Sequence, residues 1–236
     1  MMKKAVILSH KAEVLIDFIK NKGISCFSEY INYSVSSKIC DHADISFFFD
    51  GDDTLFVAKE SEIYVNSLKE FCENIIVLSE NLGENYPDDV KLNCLRIGSN
   101  FICNSNTVSS VVLEHMKNKG IRIIDVKQGY AKCSVLPVSD NSLITDDISI
   151  YNSCIINGID VLLVSKGDVK LSGYDYGFIG GCAGKISEDI IVFFGNIKKH
   201  CDYEKILDFI GKFNVQYYCS DNELTDIGSI LPLYKV

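Results

Sequence analysis

Basic charge is scarce in this chain. Its 236 residues carry 23 Lys and Arg against 32 Asp and Glu, a formal net charge of −9. A surface that follows a nucleic-acid backbone needs clustered Lys and Arg, so no nucleic-acid partner is expected. Long apolar runs are also missing. None approaches the ~20 residues that span a bilayer, and no membrane partner is expected. The apolar run Ala5–Leu8 is shorter than a secretory h-region and is soon followed by Lys11, Glu13 and Asp17. A cytoplasmic protein is therefore expected. Ten Cys are present, but no two form a C-x-x-C pair, which excludes a zinc ribbon and a thioredoxin-type redox motif. Most are expected as free thiols packed like small hydrophobes. The four His, at positions 10, 42, 115 and 200, show no local ligand spacing, so neither a metal nor a cofactor is expected. Gly180–Ile186 imitates a P-loop, but its spacing is short and Ile186 stands where a Mg²⁺-binding Ser or Thr belongs. Gly177–Gly181 lacks dinucleotide-binding spacing.

What the chain does have is apolar content and a recurring pattern. With 47% hydrophobic and 23% charged residues it is a folded globular protein. Between Lys132 and Val164 the sequence predicts a strand (Lys132–Val138), a polar turn (Ser139–Ser142), a second strand, a helix (Ile148–Asn157) and a third strand (Val161–Val164). The same order recurs around Asp44–Leu78, Leu92–Val126 and Tyr174–Cys219. A fifth copy is split. Ala5–Ser9, a helix over Lys11–Lys22 closed by Gly23, and Ile24–Tyr30 lack a first strand, and Asp226–Leu233 is a strand with nothing to follow it. A period of 40–50 residues signals a repetitive architecture, and a split unit that pairs the two ends would close it. The alternative is an ordinary α/β sandwich. Three local expectations accompany this reading. Asp50–Asp53 is a solvated hairpin tip, Asp146-Asp147 caps the helix that follows, and Asp202 caps the helix beginning near it.

Five β-β-α-β units constitute the pentein, or β/α-propeller, fold, and the sequence resembles it. Leu92–Val126 is similar to a module of the ribosome anti-association initiation factors, which share the fold without being enzymes. Three phrases resemble an uncharacterised bacterial family described as having the guanidine-modifying-enzyme fold. They are Val-Lys-Gln-Gly-Tyr-Ala-Lys-Cys-Ser (126–134), Gly-Phe-Ile-Gly-Gly-Cys-Ala-Gly-Lys-Ile (177–186) and Asp-Ile-Gly-Ser-Ile-Leu-Pro-Leu (226–233). The resemblance implies a single pentein domain over 1–236, with the strand after Asp226 beside Ala5–Ser9.

The guanidine-modifying enzymes attack a guanidinium carbon with a Cys thiolate, shuttle protons with a His and hold the cation with carboxylates. His42-Ala43-Asp44 resembles their His-x-Asp. Their nucleophile heads the last strand, yet here that place holds Gly228 or Ser229, and the last Cys is Cys219. Turn-based alignment of the hairpins puts Asp44, Asn93/Cys94, Cys133, Gly181/Cys182 and Asp226 early in the five first strands. The catalytic candidates are therefore Cys133, His42 and Asp44, with Lys132 expected to lower the thiol pKa if the side chains meet. Cys94, two residues before Arg96, is the second choice; Cys182 reads as a position chosen for size. Lys132, Gln128, Arg96, Asp226 and Ser229 are the ligand-binding candidates. A small cationic or guanidino-type ligand in a central channel is the first functional expectation. A non-catalytic interaction protein is the second.

Overall fold

The computed structural model describes residues 3–235. Fifteen short strands form five three-stranded sheets, each with one antiparallel and one parallel pairing about a middle strand. The first sheet in chain order comprises β3 (Phe47–Phe49), β4 (Thr54–Val57) and β5 (Asn74–Val77). The second holds β6 (Leu95–Ile97), β7 (Asn100–Cys103) and β8 (Arg122–Asp125). The third holds β9 (Val135–Ser139), β10 (Ser142–Thr145) and β11 (Asp160–Leu163). The fourth holds β12 (Ala183–Ser187), β13 (Ile190–Phe193) and β14 (Gln216–Cys219). The fifth joins the two ends of the chain, pairing β15 (Ile230–Pro232) antiparallel with β1 (Ala5–Leu8), which runs parallel to β2 (Ser25–Phe27). In that sheet Val6 faces Pro232 and Leu8 faces Ile230, so the expected pairing of the split unit is present.

A parallel pair needs a crossover, and helices supply it. They are α1 (Glu13–Asn21), α3 (Val65–Leu68), α4 (Ser110–Asn118), α5 (Ile148–Ile156) and α6 (Tyr203–Lys212). The crossover before β5 is mostly a 3-10 turn, Lys59–Tyr64, and α3 is a single turn. No helix among the described residues is long and apolar enough to cross a membrane.

Successive strand residues point to opposite faces, and in the first and middle strands both faces are buried, whereas β5, β8 and β14 are partly exposed. Phe47 and Phe49 join one apolar cluster with Ile7 and Leu231, while Phe48 joins another with Phe101 and Met116. Val6 and Ile230 pack against Ile186 and Val192, Leu136 against Phe193, and Leu95 against Val135. Each cluster draws on two consecutive sheets, and the sheet made from the chain ends shares one with its neighbour on either side. Strands covered on both faces read as continuous apolar runs such as Phe47-Phe48-Phe49.

The first strands start later than expected. Asp44 lies on a helical turn, α2 (Ala43–Ser46), and β3 begins only at Phe47. Residues 131–134 form a turn before β9, with the Ser134 N–H donating to Tyr130 O. Gly181 and Cys182 form another before β12, both amides donating to Phe178 O. The head residues therefore satisfy their backbones in turns and across to other units, as in the Asp44 amide donating to Gly228 O, instead of in a ladder.

The capping expectations divide. The Asp147 carboxylate accepts the Ser149 and Ile150 amides at 2.8 and 3.0 Å and caps α5. Asp146 does not cap; its Oδ2 accepts the Ile179 N–H. Asp202 heads α6, but its carboxylate accepts the Ser165 N–H and the Lys205 ammonium, not its own helix amides. The acidic hairpin tip is not simply solvated either. Asp50 is fully buried, folds its own loop by accepting the Asp52, Asp53 and Thr54 amides, and pairs with Lys119 and His115 at 2.6 and 2.9 Å. Those partners hold its carboxyl well below the usual carboxylate range.

Candidate functional site

The turns that precede the first strands bring their side chains together. Asn93, just before β6, is the hub. Its Oδ1 accepts the Lys132 and Cys133 amides at 2.8 and 3.2 Å, and its Nδ2 donates to Asp44 O at 3.1 Å and approaches the Cys133 sulfur at 3.0 Å. The Cys133 thiol in turn donates to Asp44 Oδ2 at 3.0 Å. Asp44 Oδ1 is buried without a partner. Lys132 extends the other way, its ammonium donating to Ser229 Oγ. Ser229 is fully buried and sits at φ 67°, a left-handed conformation unusual for a residue with a Cβ. Preceding it, Gly228 at φ 83° is crowded against His42, since a Cβ there would lie 2.3 Å from the His42 Cα and Cβ. His42 Nδ1 stands 3.8 Å from Asp226 Oδ1, a charge neighbour beyond hydrogen-bond reach. Asp226 accepts the Phe178 and Gly228 amides at 2.9 and 3.0 Å.

Burial dominates the electrostatics. It pushes the Asp44 and Asp226 carboxyls up and the His42 imidazole and Lys132 ammonium down, favouring each neutral form. The Cys133 thiol is driven well up, by burial first and then by the charges of Asp44 and Asp226. The condition for Lys132 to lower the thiol pKa is not met: the Lys132 ammonium bonds Ser229 Oγ, and the group against the sulfur is the Asp44 carboxylate.

His42, Cys133 and Asp226 line a pocket of about 280 Å³. Its walls carry the rings of Tyr130, Tyr174, Tyr176 and Phe178, together with Asp175. No Lys or Arg lines it among the described residues. Two of the rings already meet cations from this chain: the Lys38 ammonium lies 4.7 Å from the Tyr174 centroid and Lys166 lies 5.9 Å from that of Tyr176. Most of this wall belongs to the stretch between β11 and β12, whose Lys170 bridges to Thr225.

Sequence reasoning therefore brought His42, Asp44, Lys132, Cys133, Asp226 and Ser229 to one place. The structure separates two others from it. Arg96 bonds Gly98 O, Asp50 O and, at 2.6 Å, Asp52, away from His42. Gln128 donates to Asp147 and accepts the Tyr130 N–H, bracing the loop behind the site. Cys94 is buried with its thiol bonded to Leu92 O and its pKa driven up. Cys182 is buried too, in a turn whose neighbour Gly181 touches the Asp226 carboxylate. The organising Asn93 and the aromatic wall were not singled out, since an amide and scattered Tyr residues carry no motif.

One His, Cys and Asp group among the described residues comes within metal-ligand range. Asp168, His200 and Cys201 place ligand atoms within 4.8 Å of one another. His200 Nδ1 already accepts the Asp202 N–H and Asp168 accepts the Cys201 N–H, so these atoms close a turn.

Over residues 7–231 the sequence matches a family of unknown function, DUF6873. The chain belongs to this family. No curated protein matches it. Solved structures do. SxtG, an amidinotransferase from Microseira wollei in the saxitoxin biosynthetic pathway, superposes with TM-score 0.66 at 11% identity, covering 99% of this chain and 95% of that one. DDAH from Pseudomonas aeruginosa, in a complex with citrulline, gives 0.59 at 10% identity over 98% and 100%. The agmatine deiminase of C. jejuni gives 0.56 at 10% over 93% and 88%. Identities this low establish shared fold alone. This DUF6873 chain thus has the mixed α/β fold of the pentein-type guanidino-modifying enzymes, its five sheets matching five modules.

Proposed function

We propose that this chain binds a small guanidino-type cation in the pocket at the strand heads, with Cys133 as nucleophile, His42 as proton carrier and Asp44 and Asp226 as the balancing carboxylates. The observation that carries the reading is the pocket wall. Four aromatic rings and two carboxylates without a Lys or Arg suit a planar cation, which stacks on ring faces and pairs with carboxylate oxygens. The fold shared with guanidino-modifying enzymes supports it further. So does a closed ring of five units in a single domain over 1–236, a reading favoured by the cluster that β15 and β1 share with β12 and β13.

The neutral His42 takes the Cys133 proton, the sulfur bonds to the guanidinium carbon, and the proton returns to the departing nitrogen as its C–N bond breaks. Water then adds to the carbon and the C–S bond breaks, restoring the thiol. A resting thiol held neutral by burial and by the charges of Asp44 and Asp226 is activated when a cation enters the pocket that Asp226 and Cys133 line, because the added positive charge offsets the carboxylates' repulsion of the thiolate.

A thermal-shift screen with arginine, agmatine and methylated arginines tests the binding. At 100-fold excess over Kd a ligand stabilises by about 2.7 kcal/mol, a rise of roughly 5–10 °C for a chain of this size. Loss of that shift in Asp226→Asn is the expected companion result. No shift with any of these cations, together with co-purification with ribosomal subunits, overturns the proposal in favour of an interaction protein.

A further inference from the structure

A second cavity, of about 520 Å³, lies at the other end of the first strands. The His42 pocket gathers residues that precede those strands. This cavity is lined by residues along them and by the hairpin turns, including Gly51, Ser99 and Asn141. Its charge is opposite to that of the chain. Arg96, Lys132, Lys185 and Lys235 line it against a single acid, Asp140, whereas the whole sequence has 23 basic and 32 acidic residues.

These four cations are not equally balanced. Arg96 is paired with Asp52, and Lys132 points to Ser229 within the field of Asp44. Lys185, in the middle of β12, is buried, and its ammonium has one bond, to the neutral carbonyl of Val138 at 3.0 Å. Among the described residues no carboxylate lies within ion-pair distance of it. An ammonium has three donors, and a buried one without a counter-charge is disfavoured. A Leu or Met would fill the position without that cost. Burial pushes the Lys185 pKa down, and only the more distant Asp140, Glu188 and Asp189 oppose it.

We propose that this cavity binds a small anionic metabolite of the phosphate or carboxylate class, whose oxyanion supplies the missing counter-charge of Lys185. The volume suits a metabolite, being larger than one inorganic oxyanion requires. Neighbouring Ser99 and Asn141 add hydroxyl and amide donors to the lining. The proposal stands apart from the cation-binding reading, because the two pockets occupy opposite ends of the strands and Lys185 lines only this one.

The test is melting of the full chain in pyrophosphate or citrate against NaCl of equal ionic strength, for wild type, Lys185→Met and Lys185→Arg. Pyrophosphate or citrate should raise the wild-type Tm by several degrees beyond NaCl. Lys185→Met should abolish the rise while melting in NaCl no lower than wild type, and Lys185→Arg should retain it. Response to one anion alone assigns the class. No rise beyond NaCl, or an equal rise in Lys185→Met, overturns the proposal. Should Lys185→Met fail to fold, acetic-anhydride labelling of wild type decides the matter: Lys185 acetylation must slow in pyrophosphate or citrate, and an unchanged rate overturns the site.

Discussion

Replacing Asp44 by Asn removes a negative charge 3.0 Å from the Cys133 sulfur while keeping the shape of the side chain. Two like charges at that separation repel by about 5 kcal/mol at an effective dielectric near 20. The thiol's raised pKa has burial as its larger cause, and burial survives the substitution. The Asp44 charge is itself offset in part by the nearby Lys132 ammonium. The relief that the substitution gives the thiolate is therefore about half of that repulsion, ~2.7 kcal/mol, which is about 100-fold. The sign is definite: removing the carboxylate favours the thiolate. The assay is the rate of Cys133 alkylation by iodoacetamide, a neutral reagent, followed by mass spectrometry from about pH 6 to about pH 10. Wild type should react slowly until high pH. Asp44→Asn should react about 100-fold faster at about pH 8, following its larger thiolate fraction. Cys94, whose raised pKa has no carboxylate among its causes, is the internal control and should not change. Equal profiles for Cys133 in the two proteins would refute the contact. Rapid labelling of wild type below about pH 7 would refute the resting neutral thiol.

Asn93→Ala removes the acceptor of two buried amides and the donor to Asp44 O; it should cost about 2–4 kcal/mol in urea unfolding, and a loss below the error of the fit would contradict the hub role. Gly228→Ala, at φ 83° and against His42, should destabilise by more than ~2 kcal/mol, whereas Gly211→Ala in α6, with open space around it, should gain up to ~1 kcal/mol. Asp146 is buried with one oxygen unpartnered, and its pKa is pushed up to about 7. A folded-state pKa above the unfolded value means the folded chain keeps a proton the unfolded chain has lost, so this group's contribution is greatest below about pH 4 and fades as pH rises to about 7. Asp146→Asn should therefore melt higher than wild type at about pH 8 and no higher at about pH 4; a pH-independent difference would refute the shift.

Which residues meet was less legible than which units exist. Equating the hairpins by their turns placed Asp44, Asn93/Cys94, Cys133, Gly181/Cys182 and Asp226 at equivalent heads, and the structure brings Asp44, Asn93 and Cys133 into contact, with Asp226 beside His42. The turn at Ala43–Ser46 and its counterpart before β9 were invisible, because the end of α2 and the strand after it form one mostly apolar stretch from Ile45 to Phe49, interrupted only by Ser46. Similarly, the acidic tip Asp50–Asp53 reads as solvent-facing until Lys119 and His115, over sixty residues away, reach Asp50.

Local alternation, turn residues and helix-length apolar spacing determined the five repeated units and the pairing of the chain ends, because such signals act over a few residues. The tertiary structure alone decided that the sulfur of Cys133 faces a carboxylate and not its neighbour Lys132, that Arg96 and Gln128 brace loops away from the His42 pocket, and that Lys185 is buried with a carbonyl for its partner. These outcomes depend on which side chain of one unit reaches across to another, and on the water excluded between them. Neither is written in the order of residues along the chain.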